Sequence, residues 1–245
     1  MELAKTVLAF VITGLLMILL IPVGCLVVLF NFAGLWKPAA FVMYKIAQGW
    51  ARCIIGFIGC PMIVSGREHI PPEGGFCFVS NHVGIFDIVL ALGYAGRPFG
   101  FIAKKELLLI PGLNMYIPVL GGLFIDRKQP RKALATINRG VENIKRGGGM
   151  LIFPEGTRSR GRGLGDFHPG SLKLATQSGA VIVPVAITGS YEVFEKRYRA
   201  HAAPVSISFL PPIHPEELPP GDRKQILSAR VHDSIARELE RLSRS

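Results

Sequence analysis

Two patterns in this 245-residue chain predict an α/β domain with a mixed β-sheet flanked by helices, preceded by an N-terminal hydrophobic membrane helix. The first is an alternation, from residue 66 onward, of short apolar runs bounded by Gly, Pro or charge with longer amphipathic stretches. The second is an uncharged segment between Lys5 and Lys37. It holds the excess that lifts the apolar fraction to 49% and the mean hydropathy to +0.38.

In chain order, Val7 to Leu35 comes first, almost wholly apolar apart from Thr13, Pro22, Asn31 and small residues. As one helix it would be ~45 Å long against a hydrocarbon core of ~30 Å, so a tilted span, a kinked helix or a re-entrant one all fit. Pro22 removes one backbone hydrogen bond near its middle and invites a bend. A signal peptide is disfavoured by the length of the run and by the poor cleavage site at Ala33-Gly34-Leu35-Trp36. Lys37, Lys45 and Arg52 follow, mixed with Trp36, Phe41, Tyr44 and Trp50, a combination suited to the lipid headgroup level. Residues 1–58 therefore read as a membrane-anchoring, interfacial helical segment, and 59–245 as the globular domain. The basic flank on the domain side places that domain on the cytoplasmic face of the inner membrane.

Six runs read as strands: Phe76–Val79, Phe99–Ala103, Leu123–Asp126, Met150–Phe153, Val181–Ile187 and Val205–Phe209. Between them, Arg131 to Arg146 sets Leu134, Ile137, Val141 and Ile144 on one helical face, and Gly147-Gly148-Gly149 ends the helix. The glycine triplet is not a phosphate loop, since no Gly-Lys-Ser or Gly-Lys-Thr follows. Gly170 to Ser178 reads as a short helix, and Asp222 to Leu242 as a longer one with Leu227, Val231, Ile235, Leu239 and Leu242 on a stripe. Pro211-Pro212 and Pro219-Pro220 punctuate the approach to it. Leu107 to Ile110 reads as packed core.

The net charge of +11 calls for an anionic partner, and next to a membrane anchor acidic lipid or a phosphorylated substrate and its acidic carrier outrank nucleic acid, for which no motif is present. Cys25, Cys53, Cys60 and Cys77 have no metal-like spacing and read as reduced, small apolar packing residues.

Chemistry is concentrated where predicted strands end. Asn81-His82-Val83-Gly84-Ile85-Phe86-Asp87 sets an imidazole and a carboxylate five positions apart, the pairing that lets a histidine take a proton from a hydroxyl at neutral pH. Lys104-Lys105-Glu106 adds two cations. Gly121-Gly122-Leu123-Phe124-Ile125-Asp126-Arg127 combines glycines that allow close backbone approach with a guanidinium that suits a phosphate. Phe153-Pro154-Glu155-Gly156-Thr157-Arg158-Ser159-Arg160 carries an acid, a hydroxyl and two cations, with the Gly156 N–H a candidate donor to a developing oxyanion and Arg158 a candidate phosphate grip. No Gly-x-Ser-x-Gly occurs, and no activated nucleophile is evident.

In this order, with Val183-Pro184-Val185, these blocks resemble the glycerolipid acyltransferases, and within them the bacterial 1-acyl-sn-glycerol-3-phosphate acyltransferases. The resemblance spans roughly residues 60 to 200. It implies that His82 deprotonates the sn-2 hydroxyl of lysophosphatidic acid, oriented by Asp87, and that the hydroxyl attacks an acyl thioester directly. Lys105, Arg127 and Arg158 would hold the acceptor phosphate, and Glu155, Gly156 and Thr157 would shape its pocket. The donor would be acyl-acyl carrier protein or acyl-CoA, and the chemistry requires neither cofactor nor metal. One departure stands out: many relatives carry a serine two positions after the histidine, where this chain has Gly84. Any hydroxyl contact there must be absent or supplied from elsewhere. The same residues also suit another acceptor, such as glycerol-3-phosphate, a different lyso-phospholipid or an aminoacyl lipid. A non-catalytic membrane lipid-binding protein and a serine-type thioesterase are the rivals from other classes.

Overall fold

A computed structural model describes residues 2–32, 36–168, 170–218 and 223–244. Its centre is a seven-stranded sheet of β1 (Met62–Ser65), β2 (Phe76–Ser80), β3 (Gly100–Lys104), β4 (Leu123–Ile125), β5 (Gly149–Ile152), β6 (Val181–Thr188) and β7 (Val205–Phe209), in the spatial order β1-β7-β6-β2-β5-β3-β4. Five strands from β6 to β4 run parallel, and β7 is antiparallel to β6 with β1 parallel to β7, so the sheet is mixed as expected. All six expected strands form. β1 lies before the stretch in which alternation begins, and its half-exposed edge pattern explains why the sequence does not announce it. The central strands are buried on both faces, which is why Phe76-Cys77-Phe78-Val79 is an unbroken apolar run.

Helices cover both faces. On one, α3 (Trp36–Ile58) and α4 (Phe86–Tyr94) share a core with Phe78, Phe99 and Phe209. On the other, α6 (Pro130–Lys145), α7 (Lys173–Ser178) and α9 (Arg223–Arg244) close over Cys77, Val79, Met150 and Ile182. Leu227, Val231 and Ile235 are fully buried there, confirming the expected stripe. Residues 33–35, Pro219, Pro220 and Asp222, which figured in the sequence reading, lie outside the described residues.

α3 buries Tyr44, Gln48, Ala51, Ile55 and Ile58 at helical spacing, so residues up to 58 share one continuous core with the sheet. Arg52, expected at headgroup level, instead donates through Nε to the Gly93 carbonyl at 2.8 Å, at the end of α4. Cys25 and Cys53 are exposed and Cys60 half-buried; only Cys77 is a packing residue in the full sense.

The apolar N-terminal segment is two helices, α1 (Glu2–Leu19) and α2 (Ile21–Phe32), parted at Leu20, where Pro22 has no N–H to give to the preceding turn. α1 is docked along its length by one stripe. Glu2 meets His201 Nδ1 at 2.7 Å, and Thr6 Oγ1 accepts from Ala200 N at 2.7 Å. Phe10 packs edge-on against Phe194, Thr13 accepts from Trp50 Nε1, and the Met17 carbonyl accepts from Tyr116 Oη of α5 (Leu113–Val119) at 2.5 Å. The remaining faces expose Leu3, Val7, Leu8, Val11, Ile12, Leu15, Ile18 and Leu19.

Close backbone approaches decide where glycine is required. A Cβ on Gly100 would stand 2.0 Å from the Gly121 carbonyl oxygen, because β3 passes directly under the turn that leads into β4. The Gly121-Gly122 pair thus serves protein packing. Gly100→Ala should cost about 1–3 kcal/mol by overpacking, whereas Gly49→Ala, on α3 with open space around it, should gain up to ~1 kcal/mol of helix propensity; urea unfolding of both variants checks the contrast.

Candidate active site

Four parallel neighbours, β2, β5, β3 and β4, end at one edge of the sheet, and each is followed by one of the motifs. That shared edge brings residues 82 to 158 together. Asn81 sets the start: its side chain donates to the Ile187 carbonyl and accepts from the Ile187 N–H, both at 2.9 Å, continuing the β2–β6 ladder after the β2 backbone has turned away.

His82 Nδ1 lies 2.7 Å from Asp87 Oδ2. The same carboxylate oxygen accepts from the N–H groups of Val83 at 2.7 Å and Gly84 at 3.1 Å, and Oδ1 accepts from the Ser190 hydroxyl. Asp87 is fully buried in the first turn of α4, where the helix dipole favours an anion. With the carboxylate as acceptor, Nδ1 carries the hydrogen and the lone pair resides on Nε2. The ring stacks on Phe153, centroids 3.9 Å apart and planes 15° from parallel, and its side chain is 19% exposed, so the imidazole is held firmly yet reachable.

Glu155 is buried and both its oxygens are occupied by backbone: Oε1 accepts from His82 N at 2.7 Å and Oε2 from Gly165 N at 3.0 Å. Burial pushes its carboxyl above the usual carboxylate range; the two N–H bonds oppose this, and the neighbouring Asp87 charge adds to it. Its place is as a clamp joining the His82 loop to the loop at 165. Ser159 N and Arg160 N donate to the carbonyls of His82 and Val83, completing the join. The Gly156 N–H does not face an oxyanion site as expected; it closes a turn onto the Phe153 carbonyl at 3.1 Å. Gly156 keeps a positive φ of 66°, and a Cβ there would meet His168 at 2.8 Å. Thr157 is exposed beside it.

Each expected phosphate cation is tethered to one protein acceptor. Lys105 Nζ pairs with Asp126 at 2.7 Å, an interaction that holds the ammonium pKa up and the carboxyl pKa down. Arg127 Nη1 donates to the Gly156 carbonyl. Arg158 Nη1 pairs with Glu195 at 2.6 Å. Two residues of this network, Ser190 and Glu195, belong to no motif. Ser190 opens α8 (Ser190–Val193), directly after β6, and only the β2–β6 pairing brings it to Asp87. The hydroxyl that Gly84 does not provide thus reaches the carboxylate from a residue 103 positions away from it.

The sheet edge thus gathers an imidazole held by a buried carboxylate and three tethered cations. The family model described as Acyltransferase matches residues 61–188, and the chain belongs to that family; it is an acyltransferase. It is 31% identical over 185 residues to a 1-acyl-sn-glycerol-3-phosphate acyltransferase of Borreliella burgdorferi, covering 74% of this chain and 73% of that one. A protein of the same name from Escherichia coli is 36% identical over 141 residues, 57% of each chain. The crystal structure of the 1-acyl-sn-glycerophosphate (LPA) acyltransferase from Thermotoga maritima superposes with a TM-score of 0.82 at 27% identity, covering 99% of this chain and 96% of that one.

Removing the Ser190 hydroxyl strips one donor from a buried carboxylate. Ser190→Ala should therefore cost about 1.5–3 kcal/mol in urea unfolding and lower the acyl-transfer kcat while leaving KM for the acceptor unchanged; wild-type values for both would take Ser190 out of the network.

Proposed function

We propose that the chain transfers a fatty acyl group from an acyl thioester to the sn-2 hydroxyl of 1-acyl-sn-glycerol-3-phosphate, giving phosphatidic acid. The observation that carries this reading is the 2.7 Å bond between His82 and Asp87 at the sheet edge that also holds Lys105, Arg127 and Arg158. Relatives named for this reaction support it.

His82 Nε2 removes the acceptor's hydroxyl proton as the oxygen attacks the thioester carbonyl carbon, and Asp87 stabilises the imidazolium that forms. Collapse of the tetrahedral oxyanion breaks the C–S bond, and the imidazolium returns the proton to the departing thiolate. The acyl group passes straight from donor to acceptor. Cys77, the one cysteine near the motif in sequence, is fully buried and its thiol pKa is pushed up by burial, which makes it a poor nucleophile. Base catalysis supplies ~10²–10⁴-fold, and fixing both substrates up to ~7–11 kcal/mol. The second share falls to the three cations, which bind the acceptor phosphate. The exposed Lys104, Lys128, Arg131 and Lys132 at the same edge suit the anionic part of either acyl carrier protein or coenzyme A.

The enzyme works on the surface of the inner membrane, with its domain on the cytoplasmic side. Because one stripe of α1 is committed to the domain at Glu2, Thr6, Phe10, Thr13 and Met17, α1 cannot cross a bilayer without taking that surface along; it lies in the interface with its apolar faces in lipid. Of Leu107–Ile110, expected as core, Leu107 packs on the core while Leu108–Ile110 turn outward beside α5 with Leu109 84% exposed, and this apolar tip dips into the same leaflet next to Lys105.

The purified enzyme, given lysophosphatidic acid, glycerol-3-phosphate and other lyso-lipids with each donor, should acylate lysophosphatidic acid; use of glycerol-3-phosphate alone would overturn the assignment. His82→Ala should lower turnover by ~10²-fold or more with acceptor binding largely kept, and unchanged activity would favour a non-catalytic lipid binder. Arg158→Ala should raise acceptor KM or cut turnover far more than Arg244→Ala in the exposed tail. For the membrane mode, Leu109→Trp should show blue-shifted emission, quenched by brominated lipid, on anionic vesicles; emission typical of water would remove the tip from the bilayer.

A further inference from the structure

Arg158 is held in place by a residue outside every motif, and the geometry ties that residue to the missing side chain at Gly84. Glu195 Oε1 lies 2.6 Å from Arg158 Nη1, and Oε2 accepts the Ile85 N–H at 2.5 Å. A Cβ built on Gly84 would come within 2.9 Å of that same Oε2 and 3.0 Å of the Tyr191 backbone. The space that a side chain at 84 would fill is therefore occupied by the Glu195 carboxylate and the start of α8.

We propose that Glu195 is a positioning residue for the acceptor phosphate, made possible by glycine at 84. The inference rests on the reading of Arg158 as a phosphate ligand. Glu195 is 11% exposed and Arg158 33%, so the carboxylate is shielded while the guanidinium keeps part of its surface in solvent. A guanidinium has five N–H donors in a fixed fork; committing the Nη1 edge to Glu195 leaves Nη2 and Nε to grip a phosphate. The other carboxylate oxygen is fastened to the loop that carries His82 and Asp87. One side chain thus spans from the cation that receives the phosphate to the loop that holds the base. It sets the distance between the bound phosphate and the hydroxyl that loses its proton, so it selects acceptors by that spacing.

The test is initial-rate kinetics of the full-length enzyme in mixed micelles, with lysophosphatidic acid and with monoacylglycerol, which has the acyl chain and a hydroxyl but no phosphate. Glu195→Gln should raise KM for lysophosphatidic acid about tenfold with kcat within about twofold, the size expected for one displaced charge-assisted contact. It should leave monoacylglycerol kinetics unchanged. In an Arg158→Ala background the same substitution should add nothing, because the two residues act as one unit. Gly84→Ser, which pushes the carboxylate out, should reproduce the KM defect of Glu195→Gln. An unchanged or lowered KM in Glu195→Gln, an additive effect in Arg158→Ala, or equal damage with monoacylglycerol would each overturn the proposal. If the wild-type enzyme itself does not acylate lysophosphatidic acid, the proposed function falls and this inference falls with it; if it does, the variants judge Glu195 alone.

Discussion

The buried charge of Asp87 is the constraint on which the site depends. A carboxylate with no exposure is tolerated only when its lone pairs are matched, and here four donors match them: the His82 ring, the Val83 and Gly84 N–H groups and the Ser190 hydroxyl. Each donor imposes a demand on the fold. The two N–H groups require the 82–87 loop to curl around the first turn of α4. Ser190 requires β6 beside β2, so that α8 arrives at the same edge. Asn81 secures that neighbour by pairing with Ile187. The imidazole orientation is a consequence of this arrangement.

The cations follow a related rule. A basic chain of net charge +11 has many lysines and arginines to spare, yet three at the sheet edge, Lys105, Arg127 and Arg158, are each drawn to one acceptor: Asp126, the Gly156 carbonyl and Glu195. A partial tether orients a long side chain and reduces the entropy it has left to lose. The tethers also connect the motifs physically, from Lys105 through Asp126 and Arg127 to Gly156, and through Glu155 to His82. The tip Leu108–Ile110, which follows Lys105 in the chain, is exposed and apolar, as are large parts of α1 and α2.

Most strands and the long helices were legible because their signal is local. Phe76–Val79 is apolar on both faces, and Leu227, Val231 and Ile235 repeat at helical spacing. The elements that escaped are those whose burial depends on distant partners. β1 is a short edge strand that pairs only with β7, and α3 looks interfacial until the sheet covers Tyr44 and Ile55. Leu107–Ile110 misleads in the opposite sense: its composition is that of a core, yet only Leu107 packs on it, and the chain turns Leu108, Leu109 and Ile110 outward beside α5.

By itself the sequence determined the His82–Asp87 pairing, since both residues stand on one short loop and no tertiary contact is needed to bring them within reach. It also determined the family, through motifs whose order survives without coordinates. Only the tertiary structure decided which groups complete them. Ser190 and Glu195 lie more than a hundred positions from the loop they stabilise, as the bonds to Asp87 and Ile85 show. It also decided that Glu155 and the Gly156 N–H serve the backbone. The physical reason is that hydrogen-bond partners and shared space are properties of proximity, and here proximity is created by the pairing of β2 with β6 and β5 rather than by neighbourhood in the chain.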